Sequence, residues 1–127
     1  MITMKELNPH NLPTPGAVEK NLQTLFQRMN ELRQAYGKPM IVTSGLRSDA
    51  KQMELIKQGK SKAIASLHLA GAACDILDKD GSLAKWCFEN EAVLARIGLW
   101  CEHPDYTKGW LHAQIMPPKS CKRFFIP

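Results

Sequence analysis

Apolar residues recur at Val18, Leu22, Leu25, Phe26, Met29 and Leu32. That spacing lays them along one stripe of a helix of about five turns. Thr14-Pro15 supplies a start, with Thr14 as N-cap and Pro15 in the first turn, and Gly37-Lys38-Pro39 supplies the stop. The period then changes. Met40-Ile41-Val42-Thr43 is a short β-branched run that reads as a strand, broken by Ser44-Gly45. Ser48-Asp49 can cap a second helix reaching about Gln58, where Gly59 ends it, and 60–67 reads as a loop or a short helix. Ala72 to Leu77 reads as a second strand, closed by a turn over Asp78-Lys79-Asp80-Gly81. Ser82 is placed to cap a third helix whose apolar side is Leu83, Trp86, Cys87, Val93, Leu94 and Ile97. Gly98 to Glu102 and Trp110 to Ile115 make two more strands, and the tail from Met116-Pro117-Pro118 reads as coil.

The last two strands are separated by a short loop, which favours antiparallel neighbours. The expected architecture is α+β, a small antiparallel sheet with helices packed on one face. A length of 127 residues makes this a single domain over 1–127, with 1–13, rich in Asn, Pro and polar groups, as an extended N-terminal arm.

Composition narrows the function classes. A 44% hydrophobic and 23% charged chain has enough apolar surface to fold. No apolar run approaches the roughly 20 residues of a membrane helix, so no membrane partner is expected. Met1 to Glu6 lacks an apolar signal core, which points to synthesis in a cytoplasm without a signal peptide. Seventeen basic against twelve acidic residues give a net charge of +5, suited to an anionic partner such as an acidic wall polymer. Basic and aromatic residues do not interleave, so nucleic acid is not expected. The four cysteines, at 74, 87, 101 and 121, show no C-x-x-C spacing and read as reduced thiols.

Three residues stand out chemically. His68 precedes the second strand, Asp75 lies on it, and His112 lies on the last strand. Two imidazoles and a carboxylate are a common ligand set for a zinc ion that keeps a fourth position open. By spacing alone this is a weak signal, since a lone histidine is more often a packed core or surface residue.

The surrounding segments carry more. Ser66-Leu67-His68-Leu69-Ala70-Gly71-Ala72-Ala73-Cys74-Asp75 resembles the S-x-H-x-x-G-x-A-x-D motif of the zinc D-Ala-D-Ala carboxypeptidase family. That family also includes the L-alanyl-D-glutamate endopeptidases of phage lysins. Ser44-Gly45-Leu46-Arg47-Ser48 resembles its upstream S-G-x-R-S segment, and Trp110-Leu111-His112 its late W-x-H. Gln114 and Pro117-Pro118-Lys119-Ser120 are similar to small phage-encoded members.

The resemblance implies the hedgehog-like peptidase fold, one zinc ion held by His68, Asp75 and His112, and Arg47 near a substrate carbonyl or carboxylate. It makes Arg47, Ser66 and Trp110 the candidate substrate-binding residues. It also implies a monomer cutting peptidoglycan stem peptides, as endopeptidase or carboxypeptidase, after release to the wall or from a virion. One position departs. Many members carry an acid three residues before the third ligand, and Gly109 stands there. A zinc hydrolase needs a carboxylate to move protons. Glu102, ending a strand, is the first candidate for that base; Asp105, in a Pro104-Asp105 turn, is the second; a site with no working base is the third. Without a base, the fold would be a zinc-containing binding or virion module.

Overall fold

The computed structural model describes residues 1–48, 54, 57, 58 and 67–127. Its longest element is α2, Gly16–Tyr36, where the expected stripe buries Leu22, Leu25, Met29 and Leu32. Gly37 ends it in the left-handed region at φ 79°, and its amide donates to the Arg33 carbonyl. The start differs from expectation. Pro15 is the N-cap, and the Thr14 hydroxyl donates to the Glu19 carboxylate at 2.7 Å instead of capping a backbone amide.

The N-terminal residues are not the extended arm that their composition predicts. Met4–Leu7 forms a helical turn, α1, closed by a capping box between Thr3 and Glu6. Ile2 and Leu7 enter the core at 2% and 0% exposure, so this segment is packed structure. Asn30 of α2 holds it from below, accepting from the Ile2 amide at 2.8 Å and donating to the Ile2 carbonyl at 3.0 Å.

The strands are β1 Val42–Ser44, β2 Ala73–Asp78, β3 Trp100–Glu102, β4 Gly109–Gln114 and β5 Phe124–Phe125. They form one sheet in the order β1-β2-β4-β3-β5. Every pairing is antiparallel except β3 with β5. The α+β architecture therefore stands, with one addition: the tail expected as coil supplies a fifth strand. Phe124 and Phe125 are β-formers, and β3 offers them an open edge.

The single helix expected from Ser82 to Ile97 is two, α3 Ser82–Glu89 and α4 Glu91–Ile97. Asn90, at φ −122° and ψ 42°, breaks the run, and its side-chain amide donates to the Trp86 carbonyl. Ser82 does not cap α3. The Asp78 carboxylate at the end of β2 accepts from the Leu83 and Ala84 amides at 3.0 and 2.9 Å. The helix expected over 48–58 lies mostly outside the described residues; within it the Gln58 amide donates to the Glu54 carbonyl at 3.1 Å. The loop or short helix at 60–67 lies outside them too, apart from Leu67. No helix among the described residues is long and apolar enough to cross a membrane.

The core lies between α1 to α4 and one face of the sheet, where Cys74, Ile76, Cys101, Leu111 and Ala113 are fully buried. Strand alternation sends their neighbours Asp75, His112 and Glu102 to the other face.

Candidate functional site

The sheet register builds a row of polar residues across that second face. Ser44 pairs with Asp75, and Asp75 with His112. Trp100 pairs with Gln114 and Cys101 with Ala113, so the next step sets Glu102 beside His112. Three strands thus deliver a carboxylate, an imidazole and a second carboxylate to one line. Rigid strands hold such groups more firmly than loops do.

His68 joins the row from the turn before β2. The turn is pinned against α2 by Gly71, at φ 70°, where a Cβ would come within 2.9 Å of Leu22 Cγ and 3.1 Å of the Val18 carbonyl oxygen. Asn21 of α2 adds a hydrogen bond to the Ala70 carbonyl at 3.0 Å. The result is a His68 side chain at 3% exposure, its Nε2 3.4 Å from Asp75 Oδ1. His112 Nδ1 lies 3.0 Å from the same oxygen. One ligand atom from each of His68, Asp75 and His112 lies within 4.8 Å of the others, and all three residues are buried.

Proton positions decide whether a metal fits there. The Gly45 carbonyl can only accept, so His68 Nδ1, 2.9 Å away, donates to it. A neutral His68 then turns a lone pair at Nε2 toward Asp75. Two imidazole nitrogens and a carboxylate oxygen converge on one small volume, and a cation between them makes that arrangement attractive. The donor set is that of a catalytic zinc site, three protein ligands with a further position open. The outward nitrogen of each ring has a partner, as metal-binding histidines require. The residues fit the metal.

Electrostatics agree. Burial opposes ionisation of Asp75, but its contacts with the His112 and His68 rings outweigh it and hold its carboxyl well below the usual carboxylate range. Burial likewise opposes charge on His112, yet its contact with Asp75 raises its pKa above the ordinary value. Metal binding would displace the proton that this pair otherwise attracts.

Arg47 sits on the far side of Asp75. Its Nε donates to Ser44 Oγ at 3.0 Å and its Nη2 to Asp75 Oδ2 at 3.4 Å. It thereby ties one carboxylate oxygen and leaves Oδ1 toward the histidines. Burial lowers the Arg47 pKa, with Asp75 and Glu102 opposing. Ser44 ends β1 and Gly45 follows it into a bend at Leu46, a segment the sequence motif contains without revealing what each atom holds.

Glu102 Oε1 is 4.0 Å from His112 Nε2, and its side chain is 22% exposed. Burial raises its pKa above the ordinary value, with Asp75 adding and His112, His68 and Arg47 opposing. Asp105 is elsewhere. It lies in a 3₁₀ turn, Pro104–Tyr106, with its side chain 81% exposed and paired to His103. Gly109 opens β4 at φ 99°, a conformation that disfavours a side chain.

Trp110 is on the site face, two residues before His112, and pairs with Leu77. Both are about one-third exposed, so they form an apolar ledge beside the polar row. Trp100 is half-buried, with the Arg123 guanidinium 4.5 Å above its ring. Ser66 lies outside the described residues. Gln114, unassigned by its chemistry in the sequence, is 6% exposed and bonded to His112.

A protein-family model described as Peptidase M15 matches residues 1–106. The matched range stops before β4, so the place of His112 rests on the geometry. Among solved structures, the chain is similar to the Serratia marcescens L-Ala D-Glu endopeptidase ChiX. The two are 23% identical over 87% of this chain and 95% of that one, with a TM-score of 0.58. At that identity the likeness is one of fold. A comparison with curated proteins gives no match.

Proposed function

The chain belongs to the peptidase M15 family, a family of metallopeptidases, and from that premise we propose that it is a zinc-dependent hydrolase of peptidoglycan stem peptides. The observation that carries the reading is the convergence of His68 Nε2, Asp75 Oδ1 and His112 Nδ1 on one buried point. Bound among them, zinc supplies Lewis-acid polarisation of a carbonyl and acidification of a water molecule.

The chain's own residues supply the rest. Glu102 accepts a proton from the attacking water and passes it to the leaving amine, as the C–N bond breaks and the new C–O bond forms. Its partial burial suits that shuttle, because a carboxyl with a raised pKa can both take and return a proton. Arg47 fixes Asp75 and is assigned a place near a substrate carbonyl or carboxylate, which a guanidinium suits chemically. Ser66 and Trp110 are assigned to substrate binding, Trp110 through the ledge it makes with Leu77. The proposed ligands and base come from one chain, which supports action as a monomer.

The named relative makes the L-Ala–D-Glu amide the first bond to try, with D-Ala–D-Ala as the second. The likeness of Gln114 and 117–120 to small phage members supports a lysin or virion setting. A zinc-containing module without turnover is the second reading, and Gly109 in place of an acid is what favours it. Incubation with purified peptidoglycan decides. The proposal expects new free amino groups, mass-identified stem fragments, loss with a chelator and recovery with zinc. Intact peptidoglycan after incubation with zinc-loaded protein would overturn the enzyme reading in favour of the module.

A further inference from the structure

Gln114 lies two residues beyond His112 on β4, so the two side chains share a face. Its side-chain nitrogen donates to the Met116 carbonyl at 2.7 Å. A carbonyl cannot donate, so that contact settles which end of the amide is which. The Gln114 oxygen therefore faces His112, 2.9 Å from Nε2. An amide oxygen only accepts, so Nε2 must carry the hydrogen.

We propose that Gln114 is a positioning residue of the metal site: it anchors the His112 ring through Nε2–H and so presents Nδ1 to the metal. The inference rests on the zinc reading above. A ring that gives Nδ1 to a metal keeps its proton on Nε2, and that proton needs an acceptor in a buried place. Among the described residues two acceptors are near. Gln114 is at 2.9 Å and Glu102 at 4.0 Å. The nearer one is neutral, so the ring is held without adding charge and without tying up Glu102. Gln114 is held in turn by Met116, where the chain leaves the sheet. The device is a relay of fixed contacts from backbone to amide to imidazole.

Two substitutions separate this role from a structural one. Gln114→Glu keeps an acceptor for His112 and loses the donor to Met116. Gln114→Met keeps bulk and loses both. Zinc affinity is read by competition with a chromogenic chelator, and folding by circular dichroism. The expected result is a 10–100-fold loss of affinity in Gln114→Met and near wild-type affinity in Gln114→Glu. In ¹⁵N–¹H spectra of zinc-loaded protein, the His112 Nε2 proton should exchange slowly in wild type and Gln114→Glu, and rapidly in Gln114→Met. Equal affinity in wild type and Gln114→Met would overturn the inference while leaving the metal reading intact. Equal losses in both variants would assign Gln114 to structure through Met116 and overturn it as well. A wild-type protein that takes no zinc would overturn the metal reading, and this inference with it.

Discussion

Replacing Gly45 with alanine places a methyl group against the backbone of α1. An added Cβ would lie 2.2 Å from the Leu7 carbonyl oxygen, 2.8 Å from its carbon and 2.9 Å from its Cα. These are backbone atoms and cannot rotate away. Relief needs α1 and β1 to separate by about 1 Å, to the roughly 3.5 Å of ordinary contact. That movement stretches the bond from the Leu46 amide to the same Leu7 oxygen, now 2.7 Å. Overpacking of this kind costs about 1–3 kcal/mol and a weakened hydrogen bond about 1 more, so the total is about 2–4 kcal/mol. For a domain of this size that is a drop in Tm of roughly 8–16 °C. The Gly45 carbonyl also accepts from His68 Nδ1 at 2.9 Å, so zinc affinity should fall with stability. Calorimetry and chelator competition read the two effects. Gly16→Ala is the control, since Gly16 opens α2 with nothing within 4 Å of an added Cβ, and should be neutral or slightly stabilising. A Gly45→Ala protein that melts with wild type would refute the reasoning that this close approach joins α1 to the site.

Three further outcomes follow from the same geometry. Glu102→Gln should lower kcat on peptidoglycan fragments by about 10²–10⁴-fold while zinc stays bound, measured by amine release and metal analysis; unchanged kcat would remove Glu102 as the base. Trp110→Ala should raise KM several-fold and spare zinc content, because it strips the ledge beside Leu77 and leaves the ligands in place; an unaltered KM would remove Trp110 from substrate binding. Thiol titration of the native protein should modify Cys121, which is exposed, and spare Cys74, Cys87 and Cys101, which are buried. Burial pushes the Cys87 thiol up to about 12, and Cys74 and Cys101 rise as well, so none forms thiolate at neutral pH. All four should react after denaturation, and fast native reaction of more than one would place a buried thiol outside the core.

The long α2 stripe, the first four strands and the α+β class were legible because each rests on local periodicity or short loop spacing. What was missed depends on partners distant in sequence or on weak local signals. Thr3 and Glu6 form a capping box, but a four-residue helix is worth little until Ile2 and Leu7 find the core. Ser82 looked like a cap, yet Asp78 reaches the α3 amides because β2 ends directly before the turn. Phe124 and Phe125 become a strand only because β3 leaves an edge for them. At the site, motif spacing marks His68, Asp75 and His112, and the sheet register brings them together. Glu102 was preferred to Asp105 because it ends a strand and Asp105 sits in a Pro-Asp turn, and burial separates the two in the same sense. Arg47 was expected at the substrate; the fold spends part of its guanidinium on Asp75. Gln114 showed only as part of a family likeness, since its meaning depends on which end of its amide faces Met116.

The central claim is the metal site, and metal content of the purified protein tests it most directly, with His68→Ala alongside. The account predicts about one zinc per chain, lost in the variant while its fold is retained by circular dichroism. Absence of zinc from protein purified and dialysed with the metal, or zinc unchanged in His68→Ala, would contradict it.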